Sequence, residues 1–138
     1  MKLLVGLAAV ATLAGACAGA GAAGTTGAPP ALTVDLTVHH SQFSTSEIRV
    51  RPGQTVRFVV RNTDPIAHEL IVGDQAVQDH HEAGTEAHHG DRPGEVSVPP
   101  GQTAVTTYRF GAAGGTVLFG CHLPGHWAYG MQGTVRVG

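Results

Sequence analysis

Residues 120–131 of this chain read GCHLPGHWAYGM, and they hold one cysteine, two histidines and one methionine in the order Cys121-His122-x3-His126-x4-Met131. Only 13% of the 138 residues are charged, so four soft or borderline donors crowded into one segment ask for a single chemical reason. A thiolate, an imidazole and a thioether suit copper and are poor for magnesium or calcium. Two imidazoles and a thiolate in a trigonal set, with a weak axial thioether, form a coordination set through which copper passes single electrons. Cys121, His126 and Met131 supply three of those four donors from one loop. The second imidazole must come from elsewhere, and His68 is well placed: it follows a turn and opens a strand far upstream.

Donors so far apart need a scaffold, and the pattern of the chain is that of strands. LTVDLTV (32–38) alternates apolar and polar residues with period two, and EIRV (47–50) repeats the alternation. RPGQ then turns the chain, with Pro52 preset in φ and Gly53 free to take positive φ. TVRFVV (55–60) puts Val56, Phe58 and Val60 on one face, the expected core face. Further strands are read at HELIV (68–72), EVSV (95–98), TAVTTYRF (103–110), TVLFG (116–120) and GTVRV (133–137). About eight short strands separated by Pro/Gly turns predict an all-β fold, an antiparallel Greek-key sandwich or barrel. The exception is a His-rich insertion, QAVQDHHEAGTEAHHGDRPG (75–94), which has no strand period and reads as part loop and part short helix.

The start of the chain belongs to a different class. Met1-Lys2 precedes LLVGLAAVATLAGA, an apolar stretch too short to span a bilayer comfortably, and the layout is that of an export signal over residues 1–16. AGA at 14–16 suits an ordinary signal peptidase. Cys17 after LAGA resembles a bacterial lipobox, in which the cysteine is acylated, although the leucine lies one place further upstream than usual. Residues 17–31 read as a flexible tether, and 32–138 as one domain of about 107 residues. The mature protein is therefore expected outside the cytoplasm, attached to a membrane only through a lipid on Cys17 or free of it. Cys121 then has no disulfide partner, and a bound metal is what would protect a lone thiol in an oxidising compartment. A formal net charge of −2 and the absence of a basic patch argue against nucleic acid as a partner.

Three segments together carry a resemblance: VRPGQTVRFVVRNTDPIAHEL, VPPGQTAVTTYRF and GTVLFGCHLPGHWAYGMQGTVRV. With them the chain resembles the cupredoxins, the small type 1 (blue) copper proteins such as plastocyanin, azurin and amicyanin, over most of residues 32–137. The Cys-x4-His-x4-Met spacing is similar to the auracyanin and rusticyanin type. The resemblance implies a copper cofactor, one type 1 ion held by His68, Cys121, His126 and Met131. It also implies a monomeric electron carrier that meets redox partner proteins. A backbone N–H near Glu69 or Asn62 is expected to reach the Cys121 sulfur, and Pro124 and Gly125 to shape the loop so that His126 shows one nitrogen to copper and the other to solvent. Trp127 and Tyr129 either rim a docking surface or close the end of the core. The alternative function is copper handling, in storage, delivery or resistance, with the His-rich loop capturing metal.

No catalytic base, nucleophile or substrate pocket is evident, so no enzyme is expected. Cys-His-x3-His-x4-Met also resembles the last domain of multicopper oxidases, but Gly120 stands where those have a histidine and paired His-x-His motifs are absent. Neighbours on a strand point to opposite faces, so His122 is expected to face away from the copper. In the insertion, His80, His81, His88 and His89 lie among Asp79, Glu82, Glu86 and Asp91. They form either a solvated loop or a second site for copper or zinc, which His39 and His40 would join.

Overall fold

The computed structural model describes residues 31–84 and 92–138. The expected leader, Cys17 and the expected tether before residue 31, and His88 and His89 in the insertion, lie outside the described residues. Among the described residues, nine strands and one helix follow in the order β1 (Leu32–His39), β2 (Gln42–Phe43), β3 (Glu47–Val50), β4 (Thr55–Asn62), β5 (His68–Gly73), α1 (Gln75–Glu82), β6 (Glu95–Val98), β7 (Thr103–Arg109), β8 (Gly115–Gly120) and β9 (Gln132–Val137). They form two sheets, β2-β1-β4-β7 and β3-β9-β8-β5-β6, which face each other across one core as a β-sandwich. No helix among the described residues is long and apolar enough to cross a membrane.

Period-two alternation sets the inner faces. Val56, Phe58 and Val60 of β4 are fully buried, as are Val38 of β1, Leu70 of β5, Phe119 of β8 and Val135 of β9. Each such side chain contributes roughly 1.5–3 kcal/mol by leaving water. The sheets are mixed where the sequence suggested antiparallel pairing alone. β1 runs parallel to β4, with Val34 opposite Phe58, and β3 runs parallel to β9, with Ile48 opposite Val135. Neither pair is a hairpin: between β1 and β4 the chain crosses to the other sheet to lay down β3, and returns in the same direction.

β5 departs from the alternation, because every residue of HELIVG is buried. It lies between β6 and β8, with its inner face in the core and its outer face under α1. Asp74 caps that helix by accepting from the Val77 N–H at 3.0 Å, a bond that satisfies one of the orphan donors of the first turn. Gln78 lies beneath the helix, where its Nε2 donates to the carbonyls of Ile71, Gly73 and Leu118 at 3.3–3.4 Å. A strand buried on both faces gives rigid backing to the residue that opens it, His68.

Candidate metal centre

His68 begins β5 with its side chain wholly buried. Its Nε2 lies 2.9 Å from Oδ2 of Asp64. Asp64 is fixed in turn by the backbone N–H groups of His40, at 2.7 Å to Oδ1, and Ser41, at 2.8 Å to Oδ2. His40 and Ser41 take φ values of 50° and 54°, a left-handed conformation uncommon for non-glycine residues, and there their N–H groups converge on the carboxylate. Asn62 ties the same turn together. Its Nδ2 donates to the carbonyls of Ile66, Val98 and Pro99, and its Oδ1 accepts from the Asp64 N–H. With Nε2 occupied, Nδ1 of His68 is left buried and without a hydrogen-bond partner.

The other donors come from the loop between β8 and β9. The Cys121 N–H donates to the Met131 carbonyl at 3.1 Å, and the Met131 N–H to the His126 carbonyl at 3.0 Å, which closes the loop on itself. Gly125 sits at φ 86°, a turn conformation that costs glycine little. Cys121 and Met131 are fully buried and His126 half-buried. His126 Nδ1 lies 3.2 Å from Cys121 Sγ, and the rings of His68 and His126 are 4.9 Å apart. The donor atoms of His68, Cys121 and His126 lie within 4.8 Å of one another, the one such group of three among the described residues.

Burial pushes the Cys121 thiol up from an ordinary 9.0 to about 12. The backbone N–H groups of Leu123 and Glu69 favour the thiolate, while the Glu69 carboxylate opposes it. The contact from Glu69 matches the sequence expectation, whereas Asn62 instead braces the Asp64 turn. Burial also lowers the pKa of His68, an effect that Asp64 resists and the nearby His126 reinforces, so the ring is held in the neutral form a metal needs. For Asp64, burial works against the charge, but the N–H groups of Ser41 and His40 and the His68 ring outweigh it and hold the carboxyl below its usual range.

An orphaned, buried imidazole nitrogen facing a buried thiol and a second imidazole fits a metal ion, and the soft donor set fits copper. When bound, copper supplies a one-electron couple. The chain contributes orientation, exclusion of water and, through Asp64, a fixed tautomer for His68. Replacing Asp64 with alanine is expected to weaken copper binding about 10–100-fold. Asp64→Asn, which keeps an acceptor for the Nε2–H, loses less. Competition against a chelator of known affinity checks this, and equal affinities across the three proteins would rule it out.

The remaining sequence candidates separate by place. His122 points away from the trio into a pocket beside α1, with its Nδ1 2.8 Å from Glu82 and its Nε2 2.8 Å from Gln78. Trp127 packs closely against the end of β8, since a Cβ on Gly120 would lie 2.4–2.5 Å from its indole carbons. Tyr129 is 84% exposed. Trp127 is thus half-buried against Gly120, while Tyr129 stands in solvent. His81 turns inward, with Nδ1 donating to the Val77 carbonyl at 2.8 Å and Nε2 3.5 Å from Glu95. His80 and His81 have rings 5.5 Å apart but belong to no group of three donors among the described residues. His39 and His40, at the end of β1, have ring centroids 3.8 Å apart with planes tilted by 33°, and His39 Nδ1 is 3.1 Å from Thr63 Oγ1. The residue that sequence reasoning missed is Asp64. Its place four positions before His68 was the available signal.

A sequence profile described as copper binding proteins, plastocyanin/azurin family, matches residues 31–138. The chain is 38% identical over 100 residues to the copper-resistant cuproprotein CopI of Rubrivivax gelatinosus, covering 70% of this chain and 59% of that protein. The protein of the same name from Pseudomonas aeruginosa is 29% identical over 137 residues, covering 76% of this chain and 75% of its own length. Among solved structures, auracyanin A, a "blue" copper protein of Chloroflexus aurantiacus, superposes with a TM-score of 0.61 at 25% identity, covering 79% of this chain and 100% of that one. Because the profile match takes in both sheets and every donor of the centre, the chain belongs to the plastocyanin/azurin family of copper-binding proteins.

Proposed function

We propose that this protein handles copper outside the cytoplasm as part of copper tolerance, holding one ion at His68, Cys121, His126 and Met131. The observation that carries this reading is the preassembled trio: two imidazoles and a thiol brought within 4.8 Å, with His68 Nδ1 buried and unpartnered. Donors that are already desolvated and oriented bind tightly because little ordering remains to be done at the moment of binding. The relatives named copper-resistant cuproproteins support the physiological side. The leader-like start of the chain supports export, with Cys17 as the candidate anchor. The fourth donor is Met131, which is buried and directly bonded through its backbone to both Cys121 and His126.

A second reading, single-electron transfer between redox partner proteins, is favoured by one feature of the same site. The donors are held by the fold from behind, His68 by Asp64 and the loop by its own hydrogen bonds. They therefore change little between two oxidation states. Neither reading assigns catalysis to the chain. The two part on retention of metal. For a copper handler, the loaded protein yields its ion to a competing chelator or acceptor protein, most readily in one oxidation state. For a carrier of electrons, it cycles between Cu(I) and Cu(II) many times with the ion retained. Counting copper by mass spectrometry after repeated reduction and oxidation, with and without chelator, decides between them. Failure to bind copper at all would overturn both.

A further inference from the structure

His122 takes no part in the metal centre, yet its side chain is only 1% exposed. A buried imidazole next to a ligand-bearing residue needs a reason, and its surroundings supply one. Gln78 spends its Nε2 on three main-chain carbonyls, which leaves Oε1 to accept from His122 Nε2–H at 2.8 Å. On the other side of the ring Nδ1 meets the Glu82 carboxylate at 2.8 Å. Both partners belong to α1, one turn apart. The His122 backbone N–H is also taken, by Oε1 of Glu69 at 2.8 Å.

The ring face is occupied as well. His122 and Trp127 stack with centroids 4.5 Å apart and planes 18° from parallel. These two residues directly follow Cys121 and His126 in the chain. The stack therefore ties the residue after one donor to the residue after the other, and the hydrogen bonds tie the stack to the helix. His81, in the last turn of α1, lies 6.0 Å from the same ring.

We propose that His122 is a positioning residue: it clamps the Cys121–His126 loop to helix α1, so that the helix acts as the brace that presets the spacing of the two donors. This inference rests on the copper centre proposed above and gives the helical part of the insertion a task independent of binding metal itself. The loop between Leu123 and Gly130 meets the strands through side chains: Gln42 of β2 donates to the Tyr129 carbonyl at 3.5 Å and Gln132 of β9 to the Trp127 carbonyl at 3.2 Å. Its internal hydrogen bonds, Tyr129 N–H to Gly125, Gly130 N–H to Trp127 and Met131 N–H to His126, lie in the segment that the clamp steadies.

The test is amide hydrogen exchange on the full chain, metal-free and copper-loaded, for the native protein, His122→Phe, Gln78→Leu and Glu82→Gln. Phenylalanine keeps the stack on Trp127 and removes both hydrogen bonds to the helix. Exchange of the Tyr129, Gly130 and Met131 amides is expected to quicken at least about tenfold in His122→Phe and Gln78→Leu, and by less in Glu82→Gln, whose side chain is half exposed and keeps an acceptor. The amides of Val56 and Phe58 should hold their native rates. In the copper-loaded proteins the visible spectrum should shift while the copper count stays at that of the native protein. Unchanged loop exchange in all three variants would overturn the proposal, and so would an equal rise in the core amides, which marks general destabilisation. Glu82→Gln lies at the surface, so it yields a result even if the buried variants fail to fold. If the native protein itself takes up no copper, the copper reading fails, while the metal-free exchange data still judge the clamp.

Discussion

Cys121→Ser is expected to abolish the intense visible charge-transfer band of the copper-loaded protein, and to weaken copper binding by more than about 100-fold. The band requires a thiolate, and Cys121 is the free cysteine among the described residues, while Met131, the proposed fourth donor, is a thioether. Outer partners of metal ligands typically contribute about 10–100-fold to affinity, and losing a ligand of the trio should exceed that. The fold should survive the change. A buried hydroxyl left without partners costs about 1–3 kcal/mol, but the N–H groups of Glu69 and Leu123 already point at the sulfur position and can serve an oxygen there. His126→Ala should lose the band as well, because His126 Nδ1 stands 3.2 Å from the sulfur. Absorption and electron paramagnetic resonance spectra of the loaded proteins are the measurement. A serine variant that stays coloured would overturn the assignment of Cys121.

Copper affinity should climb with pH well beyond the range in which an ordinary thiol stops responding. Copper binds the thiolate, so in metal-free protein the Cys121 proton must leave when the ion arrives. Burial pushes that thiol up to about 12. The deprotonated fraction, and with it the apparent affinity, therefore rises about tenfold for each pH unit as long as the pH stays below that value. The sign follows from the raised pKa: protons compete with copper throughout the neutral and mildly alkaline range, and the competition fades only near pH 12. A thiol at its ordinary 9.0 would level off above pH 9. His68 adds no slope there, because its pKa is shifted down. Titrations against a chelator of known affinity at several values between pH 7 and 10.5 distinguish the cases. A plateau from pH 9 upward would show that the fold does not hold the thiol protonated.

The soft donors were readable from the chain because coordination chemistry is written in residue type and short spacing. Cys121, His126 and Met131 share one loop, and any fold that closes it brings them near one another. The strands were readable too, since period-two alternation in segments such as TVRFVV marks an inner face wherever the strand ends up. His68 was found by its place at a strand opening, which was enough because strand ends cluster at the two poles of a sandwich. The pairing of β1 with β4 was not legible, since a parallel partner is chosen by the crossings between sheets and leaves no mark on either strand.

By itself, then, the sequence determined the class of fold, the metal it suits and the three donors, His68, Cys121 and His126, that the fold brings together. Tertiary structure alone decided what stands behind them. Asp64 steadies His68 only because the backbone of His40 and Ser41, more than twenty residues earlier, folds over its carboxylate. His122 looks like one more donor when read along the chain. It becomes a clamp only when α1 brings Gln78 and Glu82 to it from 44 and 40 residues away. The physical reason is the same in both cases. Ligand chemistry and strand period are local properties of the chain, whereas the partners of a buried polar group are whatever the closed fold places within about 3 Å of it.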